Sequence, residues 1–272
     1  MKNTTKKLFN KVASLALAAM MVLSVFCVST PTEVSAADKS FKSTGKSSVT
    51  ITDEQCTTIT EELTWIKFKA KNDGYLKITA TNASSVASYT AGAWQLYDKN
   101  KKNSVSPAHK YNTNYTDSYF YTDVYGVKKG VTYYLAVNSY AGVKIKASFT
   151  KVADKSGSTK AKALSVKKGK SATGLIRVGD KNSDWYKFTL TKKQLLTITV
   201  TPYLNDAITV KIVGPSISGS ATITNDYYGE KYPFRIVDKY TQQPIKASTG
   251  TYYIQVKPAK KTTSGYYKIS WK

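Results

Sequence analysis

A repeat spanning most of the chain constrains its fold more than anything else in the sequence. Trp65-Ile-Lys-Phe68 recurs as Trp185-Tyr-Lys-Phe188, and Tyr75-Leu-Lys-Ile-Thr-Ala-Thr81 recurs as Leu195-Leu-Thr-Ile-Thr-Val-Thr201 at the same separation. Gly130-Val-Thr-Tyr-Tyr-Leu-Ala-Val137 returns as Gly250-Thr-Tyr-Tyr-Ile-Gln-Val256 with one residue deleted, and Val143-Lys-Ile-Lys-Ala-Ser-Phe149 is answered by Tyr266-Tyr-Lys-Ile-Ser-Trp271. Such self-similarity marks a tandem duplication, so whatever one half folds into, the other folds into as well.

Each repeated segment alternates β-branched or aromatic residues with Lys or Thr. That is the period of a strand with one face buried and one in water. Tyr186, Phe188 and Leu190 fall on one face while Trp185, Lys187 and Thr189 fall on the other, and Leu196, Ile198 and Val200 repeat the apolar face. Turns interrupt the runs at Asn72-Asp73-Gly74, Lys168-Gly169 and Thr249-Gly250. Helical periodicity is missing beyond the N-terminus. The expected fold is therefore all-β, two tandem antiparallel β-sandwich modules of jelly-roll-like form.

The N-terminus carries Lys2, Lys6, Lys7 and Lys11, then an apolar run from Ala13 to Val28, then Val34-Ser-Ala-Ala37. The run is short of the roughly 18–20 apolar residues that a bilayer span needs, and the order matches a secretory signal peptide cleaved after Ala36. Expected boundaries are 1–37 for the signal peptide, 38–153 for the first module, 154–161 for a polar linker and 162–272 for the second module. The expected location is extracellular or non-covalently wall-associated, with no membrane span in the mature chain. Of the cysteines only Cys56 outlasts cleavage, so no intramolecular disulfide is available.

The second copy contains, in order, Ala163-Leu-Ser-Val166, Gly174-Leu-Ile176, Asp184-Trp-Tyr-Lys-Phe-Thr-Leu190, Leu196-Thr-Ile-Thr-Val200, Gly250-Thr-Tyr-Tyr-Ile-Gln-Val256 and Gly265-Tyr-Tyr-Lys-Ile-Ser270. This order resembles the bacterial pre-peptidase C-terminal domains, and is similar to the collagen-binding modules of clostridial collagenases. The first copy matches less closely, with Thr64 where Asp184 stands. The resemblance implies a β-sandwich with a binding or accessory role beside secreted enzymes. It carries over no catalytic residue.

Composition narrows the chemistry. The 272 residues include 41 Lys+Arg against 17 Asp+Glu, a formal charge of +24, with 1 His and 2 Cys. The residue types that move protons or bind metals are scarce, so no enzyme is expected. His109 sits among Asn, Ser, Pro and Lys in a segment that reads as loop, a poor setting for a Cys/His pair with Cys56. Asp53, Glu54, Glu61 and Glu62 read as solvated edge residues. Asp180, Asn182 and Asp184 place oxygens at alternate positions, a weak Ca²⁺ pattern that lacks a later bidentate Glu and reads more simply as a polar turn. No cofactor is otherwise expected.

Two groups remain as candidate binding residues. Tyr111, Tyr115, Tyr119, Tyr121 and Tyr125 crowd the first copy, with Tyr227, Tyr228 and Tyr232 in the comparable region of the second. Exposed Tyr suits stacking on sugars or polymeric chains, whereas alternating Tyr119 and Tyr121 equally fit core-facing strand positions. Trp94, leading Trp94-Gln-Leu-Tyr97, reads as core. Lys155, Lys160, Lys162, Lys167, Lys168 and Lys170 cluster where the copies meet and would attract polyanions, although a solvated surface explains them too. With Arg177 and Arg235 the only arginines and no recognition motif, nucleic acid is not an expected partner. The expectation is a non-catalytic secreted or wall-associated protein that binds an extracellular polymer: a glycan, cell-wall polyanion or host matrix protein. The alternative is a structural or secretion accessory of a secreted partner protein.

Overall fold

The computed structural model describes residues 41–42, 47–51, 64–82, 91–112, 122–139, 143–215, 217–224 and 228–272. Every regular element among them is a strand. The first copy contributes β1 (Phe41–Lys42), β2 (Ser47–Ile51), β3 (Thr64–Lys69), β4 (Gly74–Asn82), β5 (Ala91–Tyr97), β6 (His109–Asn112), β7 (Thr122–Val127), β8 (Thr132–Ser139) and β9 (Val143–Lys151). The second contributes β10 (Leu164–Ser165), β11 (Ser171–Ile176), β12 (Asp184–Leu190), β13 (Gln194–Leu195), β14 (Thr197–Leu204), β15 (Ile208–Gly214), β16 (Ile217–Ile223), β17 (Tyr232–Arg235), β18 (Lys246–Ala247), β19 (Gly250–Pro258) and β20 (Gly265–Trp271).

Each copy pairs a five-stranded sheet with a four-stranded one. The orders are β1-β3-β8-β5-β6 with β2-β9-β4-β7 in the first copy, and β10-β12-β19-β15-β16 with β11-β20-β14-β17 in the second. Apart from the short parallel edge strands β1 and β10, this alternation of sheets along the chain is that of a jelly roll. The duplication thus extends to topology, and to register: Lys67 faces Tyr134 across β3 and β8, and Lys187 faces Tyr253 across β12 and β19.

The alternation read from the sequence is the one the core uses. Tyr186, Phe188 and Leu190 are buried, as are Leu196, Ile198 and Val200 from the opposing sheet. In the first copy Ile66 and Phe68 meet Leu76, Ile78 and Ala80. Phe188 lies between Tyr252 and Trp271, with ring centroids 5.4 and 4.5 Å away. The Trp271 indole Nε1 donates to the Val166 carbonyl at 2.7 Å, tying the last strand to the start of the second copy. Burial of aromatics on this scale is the main stabilising term of such a sandwich.

One difference between the copies lies in the strand beside β4 and β14. In the first, β7 runs unbroken beside β4, with Val124 opposite Lys77 and Gly126 opposite Tyr75. In the second, Arg235 of β17 stands opposite Thr197, and Lys246 of β18 opposite Leu195. Residues 236–245 therefore form an inserted hairpin where the first copy has Tyr125 alone.

The two sandwiches touch directly. Val178 N donates to the Gly126 carbonyl at 2.8 Å, and Val178 packs against the first core. Arg177 Nη1 lies 2.9 Å from Asp73 Oδ2 while its Nε holds Asp180 Oδ2 at 2.8 Å. Tyr75 stacks on Tyr266 at 4.2 Å, and Tyr266 on Tyr203 at 4.5 Å. The close approach depends on Gly126, since a Cβ there would fall 1.9 Å from the Ile176 carbonyl oxygen. The segment 154–161 lies along the second sandwich: Gly157 and Trp185 exchange backbone hydrogen bonds of 3.0 and 2.8 Å, and Ser156 Oγ donates to Asp184 Oδ1 at 2.8 Å.

Candidate functional site

On a strand whose even positions enter the core, the odd positions face out. In β3 these include Trp65 and Lys67, and in β12 Trp185 and Lys187, all partly exposed. Register places Tyr134 beside Lys67 and Tyr253 beside Lys187, so each Trp and Tyr are diagonal neighbours on the outer face of a five-stranded sheet. Both copies thus present the same Trp, Lys and Tyr in the same arrangement.

In the first copy the set is closely packed. Trp65 meets Tyr97 edge-on at 5.1 Å and Tyr134 at 6.4 Å. Lys101 Nζ sits 5.3 Å from the Trp65 ring and 4.7 Å from that of Tyr134. Tyr97 donates its hydroxyl to Gln95 Oε1 at 3.0 Å, and burial raises its pKa. Lys101 is one of two non-glycine residues with positive φ among the described residues, at 59°, in a turn where Asp98 Oδ1 accepts from Asn100 N and Lys102 N. A fixed turn thereby holds an ammonium over two aromatic faces.

In the second copy a lysine from a different segment, Lys160, lies over the ring equivalent to Tyr134, its Nζ 4.7 Å from the Tyr253 centroid. Lys211 and Gln255 share a register level with Trp185, which makes this face the more polar of the two. The sequence-derived lysine cluster is exposed throughout. It divides: Lys160 joins the aromatic face, whereas Lys168 reaches Gln194 Oε1 at 2.9 Å at another part of the module.

Of the tyrosines expected to form a binding surface, the described ones, Tyr111, Tyr125, Tyr228 and Tyr232, occupy different settings. Tyr111 is 2% exposed, stacks on Trp94 at 4.9 Å and donates its hydroxyl to the Asn138 carbonyl at 2.9 Å. It and Tyr125 are core residues, because β6 and β7 lie against the apolar interior. Tyr115, Tyr119, Tyr121 and Tyr227 fall outside the described residues, as do Cys56, Asp53, Glu54, Glu61 and Glu62. Tyr228 lies between the sandwiches, edge-on to Tyr203 at 5.1 Å and under Lys77 Nζ, and burial pushes its pKa up to about 12. Tyr232 turns its hydroxyl to the Thr224 carbonyl and Glu230 Oε2, both 3.0 Å away. Trp94 is core, as read from the sequence.

One further expectation is corrected. His109 is in a strand: it opens β6, stacks on Trp94 at 4.7 Å and points Nδ1 to Asp123 Oδ2 at 3.6 Å. In the weak Ca²⁺ pattern, both carboxylates are held by protein groups. Asp180 is engaged by Arg177, Asn182 is exposed, and Asp184 accepts from Ser156 and from the Tyr267 hydroxyl at 2.5 Å. No group of three or more His, Cys, Asp or Glu that could hold a metal occurs among the described residues.

The outer-face pair is not among the residues singled out from the sequence, although its signal lies there. A Trp at an outward-facing strand position, recurring at the repeat spacing, is a feature that the core pattern does not account for. Alternation alone marks Trp65 and Trp185, and register supplies the Tyr partners.

Compared with known proteins, the sequence matches no family model and no curated protein. Among solved structures it is similar to the pre-peptidase C-terminal domain of collagenase from Bacillus anthracis, at 17% identity over 40% of this chain and 93% of that chain, with a TM-score of 0.29. It is also similar to the N-terminal CBM22-1-CBM22-2 tandem domain from Paenibacillus barcinonensis Xyn10C, at 10% identity over 76% of this chain and 81% of that chain, with a TM-score of 0.23. The first of these is a domain of the kind that the motif order of the second copy resembles. Among the described residues no helix is long and apolar enough to cross a membrane.

Proposed function

We propose that this chain is an exported, non-catalytic protein that holds to an extracellular polymer, an anionic wall glycan, through the outer faces of its two five-stranded sheets. The observation that supports it is the recurrence of Trp65, Lys67 and Tyr134 as Trp185, Lys187 and Tyr253 at the same register, with Lys101 and Lys160 each over a ring. The partly exposed Trp and Tyr side chains offer to sugar rings, at low entropic cost, the apolar area that Lys101 and Lys160 leave open. The lysines meet acidic substituents along the same chain.

Two such faces in one chain act together on a repeating polymer. Once the first is engaged, the second binds at an effective concentration set by the spacing between them, so modest single-site affinity yields firm retention. The test is co-sedimentation of the purified chain with insoluble cell wall across a salt series. Ring stacking leaves a salt-resistant fraction and the lysines add a salt-sensitive one. Loss of all retention at high salt would assign binding to charge alone, and the aromatic faces would not be the site.

A further inference from the structure

The large hydrophobic side chains exposed among the described residues are Leu195 (57%), Val237 (39%), Tyr240 (88%) and Ile245 (43%). They come from two segments, but the fold brings them together. Val237 bridges Pro244 across the inserted hairpin, Ile245 N donates to the Ile236 carbonyl at 3.0 Å, and Lys246 pairs with Leu195 across β13 and β18. All four therefore lie on one projection of the second sandwich.

The projection is built rather than loose. Ile236 and Ala247 anchor its two ends in the core. At the tip, Asp238 Oδ1 accepts from Tyr240 N at 3.0 Å and Thr241 N at 2.8 Å, Asp238 N donates to the Gln243 carbonyl at 2.9 Å, and Gln242 takes φ of 58°. These bonds hold the Tyr240 ring out in solvent. The first copy closes the same strand without any hairpin, so the jelly roll does not require it. The duplication adds a second contrast: Tyr75, the first-copy equivalent of Leu195, is covered by Tyr266, whereas Leu195 has no such cover.

The rim is cationic. Lys239 Nζ lies 5.8 Å from the Tyr240 centroid, Lys246 neighbours Leu195, Lys168 reaches Gln194, and Lys192 and Lys193 are exposed in the turn entering β13. Asp238 is the acidic residue of the hairpin, and its Oδ1 is turned onto the hairpin's own backbone. A projection with exposed apolar side chains along it and lysines at its tip (Lys239) and its base (Lys246, Lys192, Lys193) matches a surface that is anionic outside and apolar within. A polyanionic polymer has no apolar layer for Leu195, Val237 and Ile245. A second copy of a chain with formal charge +24 would set one lysine rim against another.

We infer that residues 236–247 with Leu195 form a docking element for the surface of an anionic lipid bilayer, separate from the aromatic sheet faces. The test uses the full chain with large unilamellar vesicles, either pure phosphatidylcholine or phosphatidylcholine with phosphatidylglycerol. Wild type is expected to sediment with the anionic vesicles and about tenfold or more weakly with neutral ones. The double variant Tyr240→Ser, Ile245→Ser, whose side chains are exposed, is expected to keep its circular dichroism and melting curve yet bind anionic vesicles at least about tenfold more weakly. Trp65→Ala with Trp185→Ala should leave vesicle binding unchanged, so loss of polymer binding and loss of bilayer binding are told apart. No binding to anionic vesicles, equal binding by the hairpin variant, or hairpin-dependent dimers in sedimentation velocity without vesicles would each overturn the inference.

Discussion

Trp65 and Trp185 occupy the same position of the same strand in two copies of one sandwich, each on the outer face and diagonal to a tyrosine, Tyr134 or Tyr253. Neither is needed to fill a core, because Ile66 with Phe68 and Tyr186 with Phe188 already point inward from those strands. A duplicated, partly exposed Trp that the interior does not use is the basis of the polymer-binding account.

The lysines over the rings should set the salt dependence rather than the whole affinity. Lys101→Gln with Lys160→Gln is expected to weaken wall retention a few-fold at low salt and to leave the high-salt fraction nearly unchanged. A cation over an exposed ring contributes about 0.5–1 kcal/mol, and its charge toward a polymer is screened. Binding isotherms at two ionic strengths check this.

Gly126 controls the contact between the sandwiches. In Gly126→Ala the new methyl would meet the Ile176 carbonyl oxygen, a backbone atom that cannot turn aside. The hydrogen bond from Val178 and the stack of Tyr75 on Tyr266 should loosen together, at about 1–3 kcal/mol. Calorimetry should show a broadened or split transition with both sandwiches still folded.

Asp184 should make stability depend on pH. Burial pushes its carboxyl up to about 6, against hydrogen bonds from Tyr267 and Ser156 that pull the other way. A carboxyl whose folded pKa lies above the unfolded one favours the fold when protonated. Its contribution is complete below about pH 4 and is lost as pH rises through about 6, on the order of 3 kcal/mol. Denaturant melts between those pH values should show the decline, and Asp184→Asn should flatten it.

Tyr111 separates a core role from a binding one. Tyr111→Ala should destabilise the first sandwich by about 3–5 kcal/mol, and Tyr111→Phe by about 1 kcal/mol through loss of the bond to the Asn138 carbonyl. Wall retention of the folded Phe variant should equal that of wild type, which a retention assay checks.

Much of this architecture is legible in the sequence. The alternation in Trp185 to Leu190 predicts the buried face, and the repeat predicts two like sandwiches. What escapes are relations set by tertiary register. His109 follows Pro107 and looks like loop until β6 pairs with β5, where it stands opposite Trp94. Tyr111 and Tyr228 look alike as residues, yet one fills a core and the other a junction between copies, because burial depends on the sheet that covers each. The hairpin at 236–245 escapes for another reason: nothing local in the sequence says that Val237 and Ile245 face water.

The most direct measurement is retention of the full chain on insoluble cell wall at high salt, compared between wild type and the double variant Trp65→Ala, Trp185→Ala. The account predicts that wild type stays bound and that the double variant loses at least about tenfold in affinity with an unchanged melting curve. A double variant that folds and is retained as well as wild type would contradict it.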